Sequence, residues 1–363
     1  MRIEAAAYEV RVDLGPRSYP VVIGAGLLAE VGPRLAAAGY RGRCALVTSE
    51  RVGALYREPV LASLTEAGLA PVAVEIPDGE QHKNLAWLAV LYDRLLDGGI
   101  ERRSPLVALG GGVVGDVAGF AAATLLRGLP LVQVPTTLLG QVDAAIGGKT
   151  AINHALGKNL IGAFHQPRLV VVDVATLRSL PRREFVAGLA EVIKYGMIRD
   201  AGLFATLEAR LDALLGLDES VLVPVVATSC EHKAAVVAAD EREEGGERAV
   251  LNFGHTVGHA LEVLTEYRRL LHGEAVAIGM VAAARVSQGR GLCTAATVER
   301  LERLLRRAGL PTEMPDDITP SVLALAMQTD KKTAAGRIRF VCVEEIGRTR
   351  LVELSAQQVA DQL

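Results

Sequence analysis

Lysine is scarce in this chain, and the few lysines lie among polar or glycine-rich residues. Lysine and arginine together number 39, but only 7 of these residues are lysine. Either cation serves on a solvated surface, whereas a planar guanidinium does not replace a compact ammonium that contacts a phosphate or carboxylate. One alternative is a codon bias toward arginine that left these lysines in place by chance. We favour the alternative that they outline a site for a polyanion: Lys83, Lys149, Lys158, Lys194, Lys233, Lys331 and Lys332.

The chain also lacks the marks of secreted, membrane and nucleic-acid-binding proteins. Its 4 cysteines form no CxxC pair, which is typical of a reduced cytosolic protein. The net charge is −3 with both signs interspersed, which argues against an extended nucleic-acid footprint. The start, MRIEAAAYEV, has no apolar signal core, and the apolar run 105–126 contains Asp116 and several glycines. We expect a cytoplasmic globular protein with no membrane or nucleic-acid partner.

Two hydrophobic patterns divide the chain. Up to about residue 175, apolar β-rich runs alternate with helical stretches, which predicts a parallel sheet covered on both faces. These runs are SYPVVIG, CALVTS, PVAVEI, PLVALG, LPLVQVP and RLVVVDV. Helical periodicity then dominates from AGLAEVIKYGMI to TVERLERLLRRAG, with RIRFVCV as a late strand signal. We predict an α/β domain over 1–178 and a mostly α-helical domain over 179–363.

A glycine-rich turn in the α/β half indicates a phosphate-binding position. In LVALGGGVVGDVAGF, three glycines at 110–112 follow a buried strand and open a helix. Glycine lets the backbone approach a ligand, and a helix N-terminus offers free N–H groups and a positive dipole. The spacing is not GxGxxG, so close packing is the alternative. The GKT at 148–150 is not a phosphate-binding loop, because Asp143 stands where that motif requires glycine.

Histidines and a carboxylate in the helical half indicate a metal site. His255 and His259 are four residues apart in LNFGHTVGHALE, on one helical face, and His272 follows in YRRLLHGE. Glu191 lies among apolar residues three positions before Lys194. One carboxylate and two imidazoles would leave coordination positions open, as in catalytic zinc sites. The residues alone leave open which two histidines are ligands, and whether the HxxxH pair serves packing instead.

A dense series of motifs occurs between Pro77 and Lys332. In order they are PDGEQHK, GGGVVGDVAGF, QVPTTLLGQVDAAIGGKTAIN, GKNLIGAFHQP, GLAEVIKYG, DERE, RAVLNFGHTVGHALE, HGEAVAIGM and DKK. By these motifs the chain resembles the 3-dehydroquinate synthase family of sugar phosphate cyclases. The resemblance implies an NAD-binding α/β domain, a helical metal- and substrate-binding domain and a homodimer.

The resemblance also implies a role for individual residues. The ligands of one divalent metal ion, zinc or cobalt, would be Glu191, His255 and His272, which leaves His259 as a catalytic residue. The NAD contacts would be Asp78, Gly79, Glu80, Gln81, His82, Lys83, Gly112, Val113, Val114, Gly115, Asp116, Thr136, Thr137, Lys149, Lys158, Thr176, Leu177, Arg178 and Ser179. The catalytic and substrate contacts would be Asp143, Lys149, Asn159, Lys194, Lys233, Arg248, Asn252, His259, His272 and Lys331 or Lys332, with Arg127 reaching the substrate phosphate.

The implied activity is that of a phosphate-eliminating lyase in the shikimate pathway. It converts 3-deoxy-D-arabino-heptulosonate 7-phosphate into 3-dehydroquinate and phosphate. The steps are transient oxidation by NAD, β-elimination of phosphate, re-reduction, ring opening and an intramolecular aldol closure. The stretch DEREEGGER is one residue longer than the family's usual spacing, which leaves open whether Glu243 or Glu244 takes the acidic role there.

Three other functions are compatible with the same residues. The first is another sugar phosphate cyclase, of the 2-deoxy-scyllo-inosose or valiolone type. The second is a metal-dependent polyol dehydrogenase, which would accumulate NADH where a cyclase would not. The third is a noncatalytic NAD- or metal-binding protein with a regulatory role, which we disfavour because every ionisable residue that the chemistry needs is present.

Overall fold

The chain folds into two compact units. The computed structural model describes residues 7–328, 333–334 and 337–363. One unit comprises the chain up to Leu180 together with Val226–Arg242, and the other comprises Pro181–Val225 and Glu243–Leu363. The sequence predicts a single boundary after residue 178, whereas the structure also assigns 226–242 to the first unit. Contacts such as that of Cys230 Sγ with the carbonyl oxygen of Gln141, at 3.3 Å, hold this segment there.

A seven-stranded sheet forms the centre of the first unit. Its strands are β1 (Tyr8–Val12), β2 (Tyr19–Gly24), β3 (Gly42–Ser49), β4 (Leu69–Ile76), β5 (Leu106–Gly110), β6 (Leu131–Pro135) and, after a separate hairpin, β9 (Leu169–Asp173). The order is β1-β2-β9-β6-β5-β3-β4, and all neighbours are parallel except β1 and β2. Every residue of β5, β6 and β9 is buried, because these strands are almost wholly apolar and lie between two helical layers. The predicted parallel α/β sheet is confirmed.

Helices cover both faces of this sheet. They are α1 (Val31–Ala37), α2 (Glu50–Glu66), α3 (Leu85–Asp97) and α4 (Gly112–Thr124). Leu91 of α3 and Val117 of α4 belong to the core on one face, and Val60 and Leu64 of α2 to the core on the other. The antiparallel edge strand β1 and the hairpin of β7 (Lys149–His154) and β8 (Gly157–Phe164) were not predicted, because both are partly exposed and carry many polar residues.

The second unit is mostly helical, as the sequence predicts. Its helices are α5 (Arg182–Arg199), α6 (Ala201–Leu215), the start of α7 (Glu219–Ala239), α8 (His255–Leu264), α9 (His272–Gly289), α10 (Ala295–Ala308), α11 (Pro320–Gln328) and α12 (Ala356–Ala360). The late strand signal corresponds to β11 (Arg337–Glu345), which pairs antiparallel with β10 (Thr333–Ala334) and β12 (Arg348–Leu354). A 3₁₀ helix, Glu247–Asn252, leads into α8.

Glycines let α9 approach its neighbours closely. A Cβ atom on Gly273 would lie 1.8 Å from the carbonyl oxygen of Ala187 in α5. A Cβ atom on Gly279 would lie 2.0 Å from the carbonyl oxygen of Gly254, at the N-cap of α8. Both positions therefore exclude any side chain, and the backbones of α5, α8 and α9 are packed against one another. This packing fixes the first residues of α8 and α9, which are both histidines.

Helix α7 is the one described helix that is long and apolar enough to cross a membrane. Two observations favour a core helix instead. Its most apolar window is 67% buried within the fold. It also carries Lys233, which is 6% exposed and makes an ion pair.

All four cysteines are free thiols. Cys44, Cys230 and Cys342 are buried, and Cys293 is partly exposed. Burial raises the pKa of Cys44 to about 12 and raises the pKa of each of the other three thiols. All four thiols are therefore protonated at neutral pH.

Candidate active site

Three side chains of the second unit converge on one point. They are Glu191 of α5, His255 at the start of α8 and His272 at the start of α9, with candidate ligand atoms within 4.8 Å of one another. Glu191 Oε1 lies 3.4 Å from His255 Nε2 and 3.7 Å from His272 Nε2. Among the described residues, this buried oxygen has no hydrogen-bond partner. An unsatisfied buried carboxylate oxygen is costly, and a divalent cation between it and the two imidazoles would satisfy it.

Neighbouring charges prepare this group to bind a cation. Burial alone would raise the pKa of Glu191, but Lys194 and His255 hold it well below its usual range. Lys194 is 1% exposed, and its Nζ donates a hydrogen bond to Glu191 Oε2 one turn away on α5. Burial lowers the pKa of His255 to about 4. Glu191 is therefore ionised and His255 neutral at pH 7, which are the forms that bind metals.

His272 differs from His255 because it lies between two carboxylates. Its Nε2 faces Glu191, and its Nδ1 lies 3.1 Å from Glu262 Oε2. Burial alone would lower the pKa of His272, but Glu191 and Glu262 raise it to about 10. A carboxylate behind a metal-binding histidine fixes its tautomer and ring orientation.

Glu262 is a functional candidate that sequence reasoning missed. It is a 6% exposed carboxylate in α8, three residues after His259. An acidic residue with apolar neighbours on the face of the HxxxH pair was the available signal. Its partner is ten residues away on the next helix, which spacing alone does not reveal. His259, Glu262 and His272 also form a second group of candidate ligand atoms within 4.8 Å.

Three other predicted residues lie near this group along the chain: His259, Arg248 and Asn252. The ring of His259 is 5.3 Å from that of His255 and 6.1 Å from that of His272, between centroids. Arg248 and Asn252 lie on the 3₁₀ helix that precedes α8, and Arg248 is only 1% exposed. Lys331 and Lys332 lie outside the described residues.

In the first unit, Lys83 connects two predicted groups. Its Nζ donates to Asp116 Oδ2 at 2.6 Å and to Asn159 Oδ1. Lys83 and Asp116 are predicted NAD contacts, whereas Asn159 is a predicted substrate contact. Burial raises the pKa of Asp116 against the opposing effect of Lys83. The negative charges of Glu80 and Asp143 also raise the pKa of Asp116.

Asp143 and Lys233 form a second ion pair of the first unit. Lys233 Nζ donates to Asp143 Oδ1 at 2.5 Å. Asp143 lies on a one-turn π-helix, Gly140–Ala144, and Lys233 on the part of α7 that belongs to this unit. Single π turns inside or beside helices occur frequently at functional sites. The structure therefore joins two predicted substrate contacts that are 90 residues apart in the sequence.

The predicted NAD contacts follow the carboxyl ends of parallel strands. The turn Asp78–Lys83 follows β4, the segment Gly112–Asp116 follows β5, Thr136 and Thr137 follow β6, and the 3₁₀ helix Val174–Ser179 follows β9. Ligands of open α/β sheets bind at this edge. Helix α4 begins at Gly112 with no side-chain cap, so the N–H groups of its first turn are available to an anion.

The remaining predicted residues are more exposed. Lys149 is an exposed residue at the start of β7, and Lys158 is partly buried in β8. Arg127 is exposed and has a left-handed φ of 67° at the end of a 3₁₀ turn.

The acidic stretch at 240–248 is anchored at Glu241. Its carboxylate accepts two hydrogen bonds from Arg17, at 2.5 and 2.6 Å, and one from Gln166, at 3.0 Å. Glu243, two residues after Glu241, has a left-handed φ of 62°. The choice between Glu243 and Glu244 for the acidic role stays a prediction.

Comparison with protein families gives two adjoining matches. Residues 73–187 match the model of the 3-dehydroquinate synthase N-terminal domain, and residues 188–333 match that of the C-terminal domain. This chain belongs to the 3-dehydroquinate synthase family. The resemblance predicted from the motifs is thus confirmed.

Relatives within the 3-dehydroquinate synthase family are similar over nearly the whole chain. A 3-dehydroquinate synthase of Citrifermentans bemidjiense is 52% identical over 349 residues, which are 96% of each chain. That of Pelobacter propionicus is 53% identical over 348 residues, also 96% of each. Among solved structures, the 2-epi-5-epi-valiolone synthase of Streptomyces hygroscopicus subsp. jinggangensis, with NAD⁺ and Zn²⁺ bound, has a TM-score of 0.87. It is 29% identical, and the match covers 100% of this chain and 98% of that one.

Proposed function

We propose that this chain catalyses the 3-dehydroquinate synthase reaction, the conversion of 3-deoxy-D-arabino-heptulosonate 7-phosphate into 3-dehydroquinate and phosphate. One observation carries the proposal: the unsatisfied buried Oε1 of Glu191 between His255 and His272, with Lys194 on the other carboxylate oxygen. Membership of the family supplies the substrate class. The 52% identity to a 3-dehydroquinate synthase, against 29% to a valiolone synthase, favours the dehydroquinate reaction over another cyclisation.

One divalent cation would be held by Glu191, His255 and His272. The donor set of one carboxylate and two imidazoles accepts zinc and cobalt alike. Glu262 would orient His272 from behind, and His259 would remain available to the substrate. Three protein ligands leave positions for the hydroxyl groups of a substrate.

NAD would be held by the first unit. The N–H groups at Gly112, Val113 and Val114 suit its pyrophosphate, since α4 begins there without a side-chain cap. Lys83 and Asp116 would contact the cofactor as a hydrogen-bonded pair. The other contacts proposed are those on the turns after β4, β6 and β9, together with Lys149 and Lys158.

The substrate has a carboxylate, a phosphate and several hydroxyl groups, so it requires charged donors. Bound NAD would supply a reversible hydride acceptor, and a bound cation would supply polarisation of the hydroxyl group that is oxidised. The proposed donors are Lys149, Asn159, Lys194, Lys233, Arg248 and Asn252. Charge-assisted hydrogen bonds of this kind are about twice as strong as neutral ones. Arg127, Asp143 and one of Lys331 and Lys332 complete the proposed set, with Asp143 hydrogen-bonded to Lys233.

The unit roles and the assembly are part of the same proposal. The first unit would bind NAD, and the second would bind the cation and much of the substrate. We propose a cytoplasmic homodimer that acts on a small molecule and has no nucleic-acid or membrane partner. Membership of the family supports this.

Phosphate release tests the proposed reaction directly. With the heptulosonate phosphate and a catalytic amount of NAD⁺, we expect stoichiometric release of phosphate and no lasting absorbance from NADH. EDTA should abolish the release, and zinc or cobalt should restore it. Accumulation of NADH would instead identify a dehydrogenase. Release from other sugar phosphates alone would identify a different cyclase.

Cation affinity is expected to rise with pH. Because Glu191 and Glu262 raise the pKa of His272 to about 10, a cation that binds Nε2 must displace a proton. His255, with a pKa of about 4, contributes no proton near neutrality. Between about pH 6 and pH 8 the apparent dissociation constant for zinc should therefore fall about tenfold per pH unit, with one proton released per cation. Competition with a chromophoric chelator measures the affinity, and an indicator dye measures the proton.

Glu262→Gln tests how much Glu262, rather than Glu191, contributes to the raised pKa of His272. It removes the charge behind His272, so the pKa of His272 should fall and the pH dependence should weaken toward pH 8. The loss of orientation should reduce affinity by about 10–100-fold. Glu266→Gln is the matched control, because Glu266 has an 81% exposed side chain just beyond α8. A zinc affinity that does not change with pH in the unaltered protein would contradict the assignment of His272.

A further inference from the structure

Asn153 lies at an irregularity of the β7–β8 hairpin. The strand register pairs Ile152 with Ile161 and His154 with Gly157, so Asn153 stands at a bulge between these pairs. Its backbone N–H donates instead to the carbonyl oxygen of Lys83 at 2.7 Å. Bulges redirect a residue away from its own ladder, and here the redirected residue contacts the turn after β4.

The side chain of Asn153 makes a contact on each side. Its Nδ2 donates to Glu80 Oε1 at 2.8 Å. Its Oδ1 accepts a hydrogen bond from the backbone N–H of Asn159 at 3.0 Å. One amide group therefore connects the turn Asp78–Lys83 to β8, and uses both its donor and its acceptor to do so.

Asn159 needs such support because of its backbone. Its φ is 54°, in the left-handed region, which non-glycine residues seldom occupy although asparagine does so more than most. Asn153 holds its N–H, and Lys83 donates to its side-chain Oδ1. Lys83 belongs to the turn after β4, and Asn153 is hydrogen-bonded to that turn. The orientation of the Asn159 amide thus depends on that turn.

We propose that Asn153 is a positioning residue that couples the cofactor-binding turn Asp78–Lys83 to the substrate-binding Asn159. This inference rests on the proposed function, which assigns those two roles. A ligand that orders the turn would order Asn159 at the same time, so NAD and substrate binding would support each other. Asn153 itself would contact neither ligand.

A reversed hydrogen bond provides the test. In Asn153→Asp the carboxylate can still accept from the Asn159 N–H, but it faces the carboxylate of Glu80. In the double variant Asn153→Asp/Glu80→Gln, the Gln amide can donate to the Asp, which restores the link with opposite polarity. Glu80→Gln alone is the reference, since Glu80 is itself a proposed cofactor contact. The NAD⁺ affinity and kcat/KM of Glu80→Gln are therefore the highest values expected of the double variant.

Three measurements report whether Asn153 connects the turn Asp78–Lys83 to Asn159. NAD⁺ affinity is obtained from the fluorescence of Trp87, the only tryptophan, whose ring centroid lies 5.9 Å from that of His82 in the same turn region. Turnover is followed as phosphate release, with kcat and KM determined separately. Hydrogen exchange of the 153–164 segment reports the Asn159 N–H without any ligand, and Asn153→Ala, which removes its acceptor, is the variant for this measurement.

We expect Asn153→Asp to lower kcat/KM by roughly 10–100-fold, corresponding to the loss of one or two hydrogen bonds and a new repulsion. NAD⁺ affinity should also fall, and the double variant should return both values to within about threefold of Glu80→Gln. Asn153→Ala should speed exchange at Asn159. A purely structural role would lower Tm and leave kcat/KM unchanged.

The outcomes separate this inference from the proposed function. If the unaltered protein releases no phosphate, the proposed function is wrong. NAD⁺ affinity and hydrogen exchange then still test whether Asn153 connects the turn Asp78–Lys83 to Asn159. If it turns over normally and Asn153→Asp matches it, the link is wrong and the function stands. A double variant no better than Asn153→Asp would also overturn the link.

Discussion

Lys194→Ala is expected to retain the bound cation but to lose about 10³-fold in turnover, whereas His272→Ala is expected to lose both. The two residues flank the same carboxylate of Glu191 but would serve different partners. His272 would offer a ligand nitrogen, so its removal would leave too few ligands. Lys194, which contacts the Glu191 carboxylate here, would offer its charge and donors to the substrate when a cation is bound to that carboxylate. Metal analysis after gel filtration, together with phosphate release, distinguishes the two results.

Folding must be intact in both variants for this comparison. Lys194→Ala leaves Glu191 without its cationic partner, and an unpaired buried carboxylate is destabilising. Added zinc should therefore raise the Tm of Lys194→Ala more than that of the unaltered protein. His154→Ala serves as the histidine control, because His154 is an exposed residue of the first unit and should keep the cation. Turnover at the unaltered rate in either test variant would refute the assignment.

Gly279→Ala is expected to destabilise the second unit by about 3 kcal/mol or more, through overpacking. Its Cβ atom would lie 2.0 Å from the carbonyl oxygen of Gly254 and 2.9 Å from the backbone nitrogen of Gly258, and backbone atoms cannot rotate away. The helices α8 and α9 would have to separate. Because His255 and His272 begin these helices, cation affinity should fall as well. Thermal unfolding with and without zinc measures both effects.

Gly289→Ala is the matched control on the same helix. Its Cβ atom would meet nothing closer than the end of the Gln362 side chain, at 3.5 Å. Alanine favours a helix over glycine by up to about 1 kcal/mol, so this variant should be neutral or slightly stabilised. The two substitutions are chemically identical, but only Gly279→Ala is expected to destabilise the protein. Equal Tm values for the two variants would show that the close approach of α8 and α9 is not essential.

The sequence predicted those features that depend on local pattern. The buried strands were recognisable from apolar composition, and α5, α8 and α9 from helical periodicity. The candidate metal-binding group was recognisable because Glu191 is a charged residue in an apolar helix and His255 and His259 share a face. These signals are contained in a few consecutive residues, so they need no knowledge of the tertiary fold.

Features that depend on contacts between distant segments were not predicted. Helical periodicity continues through α7, so nothing in the pattern indicates that residues 226–242 return to the first unit. The pairing of Glu262 with His272 depends on how α8 meets α9, which glycines determine. The β7–β8 hairpin is partly exposed and polar, and the role of Asn153 arises from a bulge that has no signature in composition.

The state of the cysteines has a consequence for an enzyme that handles electrophiles. Loss of phosphate next to a ketone would produce an α,β-unsaturated carbonyl compound, which thiolates attack readily. The chain has only Cys44, Cys230, Cys293 and Cys342, and burial raises the pKa of each. Protonated thiols are poor nucleophiles. We therefore expect little alkylation of these thiols by such an intermediate, and the protein should also tolerate purification in air without a reducing agent.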